Sequence, residues 1–160
     1  MRQPHHAAAE PRILPLPTAG IAVRDLLDEA VAAAVARAPA GVAVTVDTPS
    51  GARIAAEPGG LRGLLDRLVT AAVAAAAAPR SRGDGPPLRE VVITVVETAE
   101  AVEFEIADSG PTTPADERCP AVMRDLAARC GCGLHVATCP EGGMAVTVRL
   151  PRREARRQAA

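Results

Sequence analysis

The chain has 160 residues, of which 48% are apolar, and this length and composition suffice for one globular domain with a hydrophobic core. Its formal net charge is −1, so no overall electrostatic field attracts nucleic acid or an anionic membrane surface. Phe104 is the one aromatic residue in the sequence, which removes the stacking platforms that bind single-stranded nucleic acid. We therefore expect neither a nucleic-acid partner nor a membrane partner.

The start of the chain and its cysteines bear on localisation. The first residues lack the apolar core of a signal peptide, and no stretch reaches the roughly 20 apolar residues that cross a bilayer. We expect a cytoplasmic protein, in which thiols stay reduced. His5 and His6 are metal ligands or phosphoacceptors only in principle, because neither lies on a helical pattern. Free thiols are expected at four positions that lack paired C-x-x-C spacing, with a zinc site as the alternative: Cys119, Cys130, Cys132 and Cys139.

Hydrophobic periodicity divides the chain into alternating helices and strand pairs. Helical segments show apolar residues at i, i+3, i+4 and i+7, and strand segments alternate apolar with polar residues. The predicted elements are a helix over 23–37, strands over 41–47 and 52–56, a helix over 57–78, strands over 91–96 and 102–108, a helix over 122–130, and strands over 134–138 and 144–150. We interpret each strand pair as a hairpin. This order predicts an α/β (α+β) two-layer sandwich, with three helices on one face of a mixed, mainly antiparallel sheet of about five to six strands.

The second of these hairpins ends in a polar turn that suggests a binding site. Val102, Phe104 and Ile106 alternate with polar residues, and the strand then ends at Asp108. A carboxylate at a strand end that faces a cleft can accept a hydrogen bond from an exocyclic amine such as that of adenine. Gly110 allows backbone and ligand to approach closely, since it has no Cβ. The alternative is that these residues only turn the chain.

The succession of elements over residues 20–151 resembles the ATP-binding domain of sensor histidine kinases, a fold shared with DNA gyrase, the ninety-kilodalton heat-shock chaperone and the mismatch-repair ATPase. Residues 21–30 look like the family's first helix, residues 55–65 like the approach to its first motif helix, and residues 140–151 like its last hairpin. The resemblance divides the chain into an extended lead-in over 1–19, an ATP-binding domain over 20–151, and a basic tail over 152–160.

The resemblance implies ATP as the cofactor and places six residues around it: Arg67, Thr70, Ala71, Asp108, Gly110 and Thr112. Asp108 and Gly110 match the adenine-recognising D-x-G-x-G motif of the family, in which Thr112 replaces the second glycine. Ala71 stands where the family has the Asn that holds magnesium, and the chain contains no Asn with which a shifted alignment could restore that ligand. Arg67 stands where the ATP-hydrolysing members have a general-base Glu. We therefore expect weak or absent ATP binding, no magnesium site and no catalytic residue.

Other features of the family's site are also missing. The glycine-rich segment that closes over the phosphates has no counterpart between Thr112 and Met123, and Met144 stands where the family often has Ser or Thr. Asp66, next to Arg67, is either a metal ligand or a surface charge.

Three functions remain open at this point. The one we favour is a degenerate histidine-kinase-like domain that acts as a signalling or regulatory binding module with weak or no ATP turnover. The alternatives are an active Ser/Thr protein kinase of the anti-sigma-factor type and a pseudokinase-like phosphotransfer partner of a response regulator. The partner expected in each case is a signalling protein, such as a response regulator, a kinase or a sigma-factor-type regulator. The first helix and residues 112–118 are the candidate docking surfaces.

Overall fold

A computed structural model describes residues 20–38, 41–54, 58–79, 89–140 and 142–152. Helices form where the apolar spacing is helical, and strands form where apolar and polar residues alternate. Within the described ranges the elements are β1 (Ile21–Ala22), α1 (Val23–Arg37), β2 (Ala43–Asp47), β3 (Arg53–Ile54), α2 (Pro58–Ala77), β4 (Glu90–Glu97), β5 (Ala101–Asp108), α3 (Ala115–Arg118), α4 (Ala121–Arg129), β6 (Gly133–Thr138) and β7 (Met144–Pro151).

Five strands form one mixed sheet in the order β2-β4-β5-β7-β6. The β2–β4 pair is parallel, with Val44 opposite Val91, and the other three pairs are antiparallel. The short strands β1 and β3 form a second, antiparallel sheet in which Ile21 lies opposite Ile54. The predicted α+β class with a mixed, mainly antiparallel sheet is confirmed, as are the hairpins β4–β5 and β6–β7.

The predicted hairpin between the first two strands is wrong, because β2 pairs with β4 and β3 pairs with β1. After the turn, the Ala52 N–H donates to the Pro49 carbonyl at 3.3 Å, and the Ala52 carbonyl accepts from the Val23 N–H at 2.9 Å. The chain therefore leaves β2 and joins the start of α1. This path buries Ile54 in the core, and the edge of β2 pairs instead with the longer strand β4. Residues 55–57 of the predicted second strand and helix start lie outside the described residues.

A short additional helix, α3, lies between the predicted strand over 102–108 and the predicted helix over 122–130, where no element was predicted. The N–H of Arg118 donates to the Pro114 carbonyl, and the N–H of Cys119 donates to the Ala115 carbonyl. Asp116 and Glu117 lie in its first turn, where acidic side chains stabilise the positive end of a helix. Four residues are too few to show the periodicity by which the longer helices were recognised.

The hydrophobic core lies between the helices and one face of the main sheet. Helix α2 packs against β4 and β5, and α1 and α4 pack against α2. Phe104, at the centre of β5, is completely buried. The other large, fully buried side chains include Leu26 and Leu27 of α1, Leu61, Leu64 and Leu65 of α2, and Ile93, Ile106 and Met144 of the sheet. None of the helices in the described ranges is long and apolar enough to cross a membrane.

Candidate functional site

The predicted acid lies at the end of β5, inside the main sheet. Asp108 lies opposite Val91 of β4 and Met144 of β7, and it is 4% exposed. The Gly110 N–H donates to Asp108 Oδ1 at 2.8 Å, so the turn after the strand fixes the orientation of the carboxylate. Ser109 extends the pairing with β4, because its Oγ accepts from the Glu90 N–H at 2.9 Å and its N–H donates to the Glu90 carbonyl at 3.0 Å. The carboxylate is therefore held rigidly.

Two glycines allow the neighbouring chain segments to approach this turn. A Cβ at Gly110 would lie 2.5 Å from the carbonyl oxygen of Ala75, so α2 packs directly on the Gly110 backbone. A Cβ at Gly143 would lie 1.8 Å from the carbonyl oxygen of Asp108, and Gly143 has a φ of +96°. Any larger residue at either position would displace the backbone around Asp108.

An arginine from α3 reaches this carboxylate. Arg118 Nη2 donates to Asp108 Oδ2, and Arg118 Nη1 donates to the carbonyl oxygen of Ala71 at 3.3 Å. The Arg118 side chain is 8% exposed and the Asp108 side chain is completely buried. The guanidinium therefore bridges the end of β5 and the middle of α2, and both carboxylate oxygens accept hydrogen bonds from the chain itself.

Burial sets the protonation of the groups beside this ion pair. It lowers the pKa of Arg118, although a guanidinium stays protonated in proteins. Burial also raises the pKa of the adjacent Cys119 thiol, against the opposing effects of Arg124 and Arg118. Cys119 is therefore a neutral thiol near neutral pH, and the anion that faces Arg118 is the carboxylate of Asp108.

The structure gathers only some of the predicted site residues at this point. Asp108 and the backbone carbonyl of Ala71 accept hydrogen bonds from the guanidinium of Arg118, and Gly110 donates to the other carboxylate oxygen of Asp108. Arg67 is exposed, one turn before Ala71 on α2, and Thr112 is exposed in the segment between β5 and α3. Thr70 is half-buried, and its Oγ1 has no hydrogen-bond partner among the described residues.

Three residues of the site were missed by the sequence analysis: Arg118, Ala75 and Gly143. Ala75 follows Ala71 by four residues and lies on the same face of α2, so helical spacing is a signal for its position. A buried acid requires a cationic partner, which is the signal for an arginine nearby. That signal does not distinguish Arg118 from the other basic residues, since all 18 of them in this sequence are arginine.

The structure also bears on the alternative metal sites. In the ranges that the structure describes, no three His, Cys, Asp or Glu side chains lie together so as to hold a metal ion. Asp66 lies 3.8 Å from Nη1 of Arg37, as expected for a surface charge. Among the described residues no disulfide joins Cys119, Cys130, Cys132 or Cys139. His5 and His6 lie outside the described residues.

The fold is similar to solved ATP-binding domains of histidine kinases. The ATP-binding domain of PrrB from Mycobacterium tuberculosis has a TM-score of 0.65 and 25% identity, over 83% of this chain and 96% of that chain. The catalytic domain of the histidine kinase ThkA, in a nucleotide-free form, has a TM-score of 0.65 and 15% identity, over 86% and 98%. The mycobacterial sensor histidine kinase MprB has a TM-score of 0.55 and 20% identity, over 81% and 94%.

No protein-family model matches the sequence, and no curated protein matches it. The structural matches span more than 90% of each of these three domains. The chain therefore has the fold of a histidine-kinase ATP-binding domain, and the resemblance found in the sequence is confirmed.

Proposed function

We propose that this chain is a degenerate histidine-kinase-type ATP-binding domain that serves as a regulatory binding module in signalling and does not turn ATP over. The observation that carries the proposal is the ion pair between Arg118 and Asp108. In the family that the chain resembles, this acid recognises adenine. Here its carboxylate is buried and bonded by an arginine of the same chain.

The residues that α2 contributes to the site support the absence of ATP turnover. Ala71 offers no side-chain oxygen to a hard cation such as Mg²⁺, which prefers oxygen ligands. Arg67 has no lone pair with which to accept a proton from an attacking water or hydroxyl group. Phosphoryl transfer requires charge neutralisation at the transferred group, and neither of these positions supplies a metal ion or a base for it.

The proposed module covers residues 20–151, with residues 1–19 as a lead-in and residues 152–160 as a basic tail, and it acts in the cytoplasm. Its partner is a signalling protein, such as a response regulator, a kinase or a sigma-factor-type regulator. The outer side of α3 is a suitable docking surface because Ala115, Asp116 and Glu117 are exposed while Arg118 is directed inward. A partner that binds there touches the helix that carries the site's own arginine.

The proposal is tested by calorimetric titration of the purified chain with ATP, with and without Mg²⁺, at protein concentrations that detect millimolar dissociation constants. We expect no magnesium-dependent heat and no ADP release. Asp108→Asn is the control, since it removes the anion on which adenine recognition depends. Magnesium-dependent binding that Asp108→Asn abolishes would overturn the proposal and favour an active kinase of the anti-sigma-factor type.

A further inference from the structure

We propose that Arg118 is an intramolecular plug, whose guanidinium occupies the place on Asp108 where the amine of a purine would donate. This inference rests on the proposed function, in which Asp108 marks a former adenine site. It adds that the backbone still holds Asp108 in the position of a binding site, and that the position of α3 closes this site. Removal of the guanidinium then leaves a site that binds a neutral purine with an exocyclic amine.

The guanidinium of Arg118 and the amine of adenine would make the same kind of hydrogen bond to Asp108. A guanidinium and an adenine amine both present N–H donors, and a carboxylate only accepts. Asp108 Oδ1 already accepts from the Gly110 N–H, and Oδ2 accepts from Arg118. Because the Asp108 side chain is completely buried, a second donor reaches it only after the guanidinium has left. Occupancy by Arg118 and occupancy by a purine are mutually exclusive.

The framework around the acid does not depend on Arg118. Ser109 is tied to Glu90 by two hydrogen bonds, and the Gly110 N–H orients the carboxylate independently of the arginine. Gly143 packs against the carbonyl of Asp108 from the other side. The acid therefore keeps its position when the guanidinium is absent, which is the preorganisation that a binding site needs.

The plug is carried by a small and exposed element. Helix α3 has four residues, and its side chains other than Arg118 are exposed. The following residue, Cys119, is completely buried and anchors the end of the helix in the core. Outward movement of α3 about this anchor would withdraw the guanidinium from both Asp108 and Ala71. By linkage, a ligand that binds only the unplugged state and a partner that holds α3 outward would favour each other.

The size of the effect follows from the population of the unplugged state. The apparent dissociation constant is the intrinsic one divided by the fraction of molecules that are competent to bind. If Arg118 occupies the carboxylate in nearly all molecules, its removal lowers the apparent dissociation constant for a purine by at least about tenfold.

The test is a titration with adenosine, which probes the base position without requiring phosphate contacts. We expect Arg118→Ala to bind adenosine at least about tenfold more tightly than the unmodified chain. Purine riboside, which lacks the exocyclic amine, should gain much less. Arg24→Ala is the matched control, because Arg24 is an exposed arginine that pairs with Asp28 of its own helix, α1, and its removal leaves the position of α3 unchanged. It should bind adenosine as the unmodified chain does.

Since Arg118→Ala leaves a buried carboxylate without its cation, folding is monitored by circular dichroism in the same samples. Arg118→Met, which fills part of the vacated volume and offers no donor to Asp108, replaces Arg118→Ala if that variant does not fold. Guanidinium chloride at low, non-denaturing concentration supplies the missing cation, so it should stabilise Arg118→Ala and compete with adenosine. The double variant Arg118→Ala with Asp108→Asn should respond to neither probe.

A folded Arg118→Ala or Arg118→Met protein that binds adenosine no better than the unmodified chain would overturn the plug. Magnesium-dependent turnover by the unmodified chain would overturn the proposed function, so the two failures are distinguishable.

Discussion

Two arginine–aspartate pairs lie close together in this molecule and differ chiefly in burial. In the Arg118–Asp108 pair the side chains are 8% and 0% exposed. In the Arg124–Asp116 pair they are 47% and 87% exposed. The same two chemical groups therefore meet once inside the protein and once in solvent.

The comparison shows that the environment of an ion pair decides its consequences. In water the two ions keep most of their hydration, and the pair contributes little to stability. Inside the protein each ion has lost its hydration, so removal of one partner leaves the other uncompensated. The buried pair can therefore control access to a site, whereas the exposed pair only joins α3 to α4 at the surface.

The largest expected effect is the difference in stability between a variant of the buried pair and a variant of the exposed pair. Arg118→Ala should lower the free energy of unfolding by about 3–5 kcal/mol, because it leaves the carboxylate of Asp108 without its cation. Arg124→Ala should leave the melting temperature unchanged within error. Thermal and urea unfolding followed by circular dichroism measure both. Equal destabilisation by the two variants would show that burial does not separate the pairs.

The second prediction concerns the glycine behind Asp108. Gly143 and Gly51 both have positive φ, at +96° and +83°, but only at Gly143 would a Cβ meet the backbone of the site. Gly143→Ala should therefore cost about 1–3 kcal/mol more than Gly51→Ala, since both variants share the conformational strain and only one adds overpacking. Urea unfolding of the two variants gives the difference. Equal costs would mean that the close approach of residues 143 and 108 is not maintained in solution.

The smallest expected effect concerns a buried thiol and appears only at alkaline pH. Burial, followed by the charge of nearby Cys130, raises the pKa of Cys132 from 9.0 to about 11. The folded state thus holds this proton in a range where the unfolded state loses it, so the free energy of unfolding should fall as pH rises from about 9 to about 11. Cys132→Ser should reduce this fall, while Cys139→Ser, the matched control, should retain it. A pH series of urea unfolding curves distinguishes them.

The three longer helices were predicted well because their signal is local. The apolar spacing placed α1 over residues 23–37, which are the residues of the observed helix. The pairing of β2 with β4 was missed because it joins segments more than forty residues apart, and a parallel partner leaves no turn signature between neighbouring strands. The sequence pattern showed that residues 43–47 form a strand but carried no information on its neighbour.

The residues of the site also differ in whether they have a local sequence signal. Asp108 and Gly110 were recognised because a strand pattern and a turn motif lie within nine residues of sequence. Arg118 was not recognised because α3 is too short to show periodicity, and an arginine that will be buried is identical in sequence to one that will be exposed. Its role follows only from the three-dimensional approach of α3 to both β5 and α2.

Phe104, buried at the centre of β5, is the one aromatic residue in the sequence. This has a practical consequence for the detection of bound nucleotide. With no Trp or Tyr in the sequence, the protein absorbs very little near-ultraviolet light, and adenine absorbs there strongly. The absorption spectrum of the freshly purified chain therefore reports directly whether a purine has been carried along from the cell, without any labelled ligand. A tryptophan introduced into α3 would also be the sole fluorophore of its kind, and its emission would report the position of that helix alone.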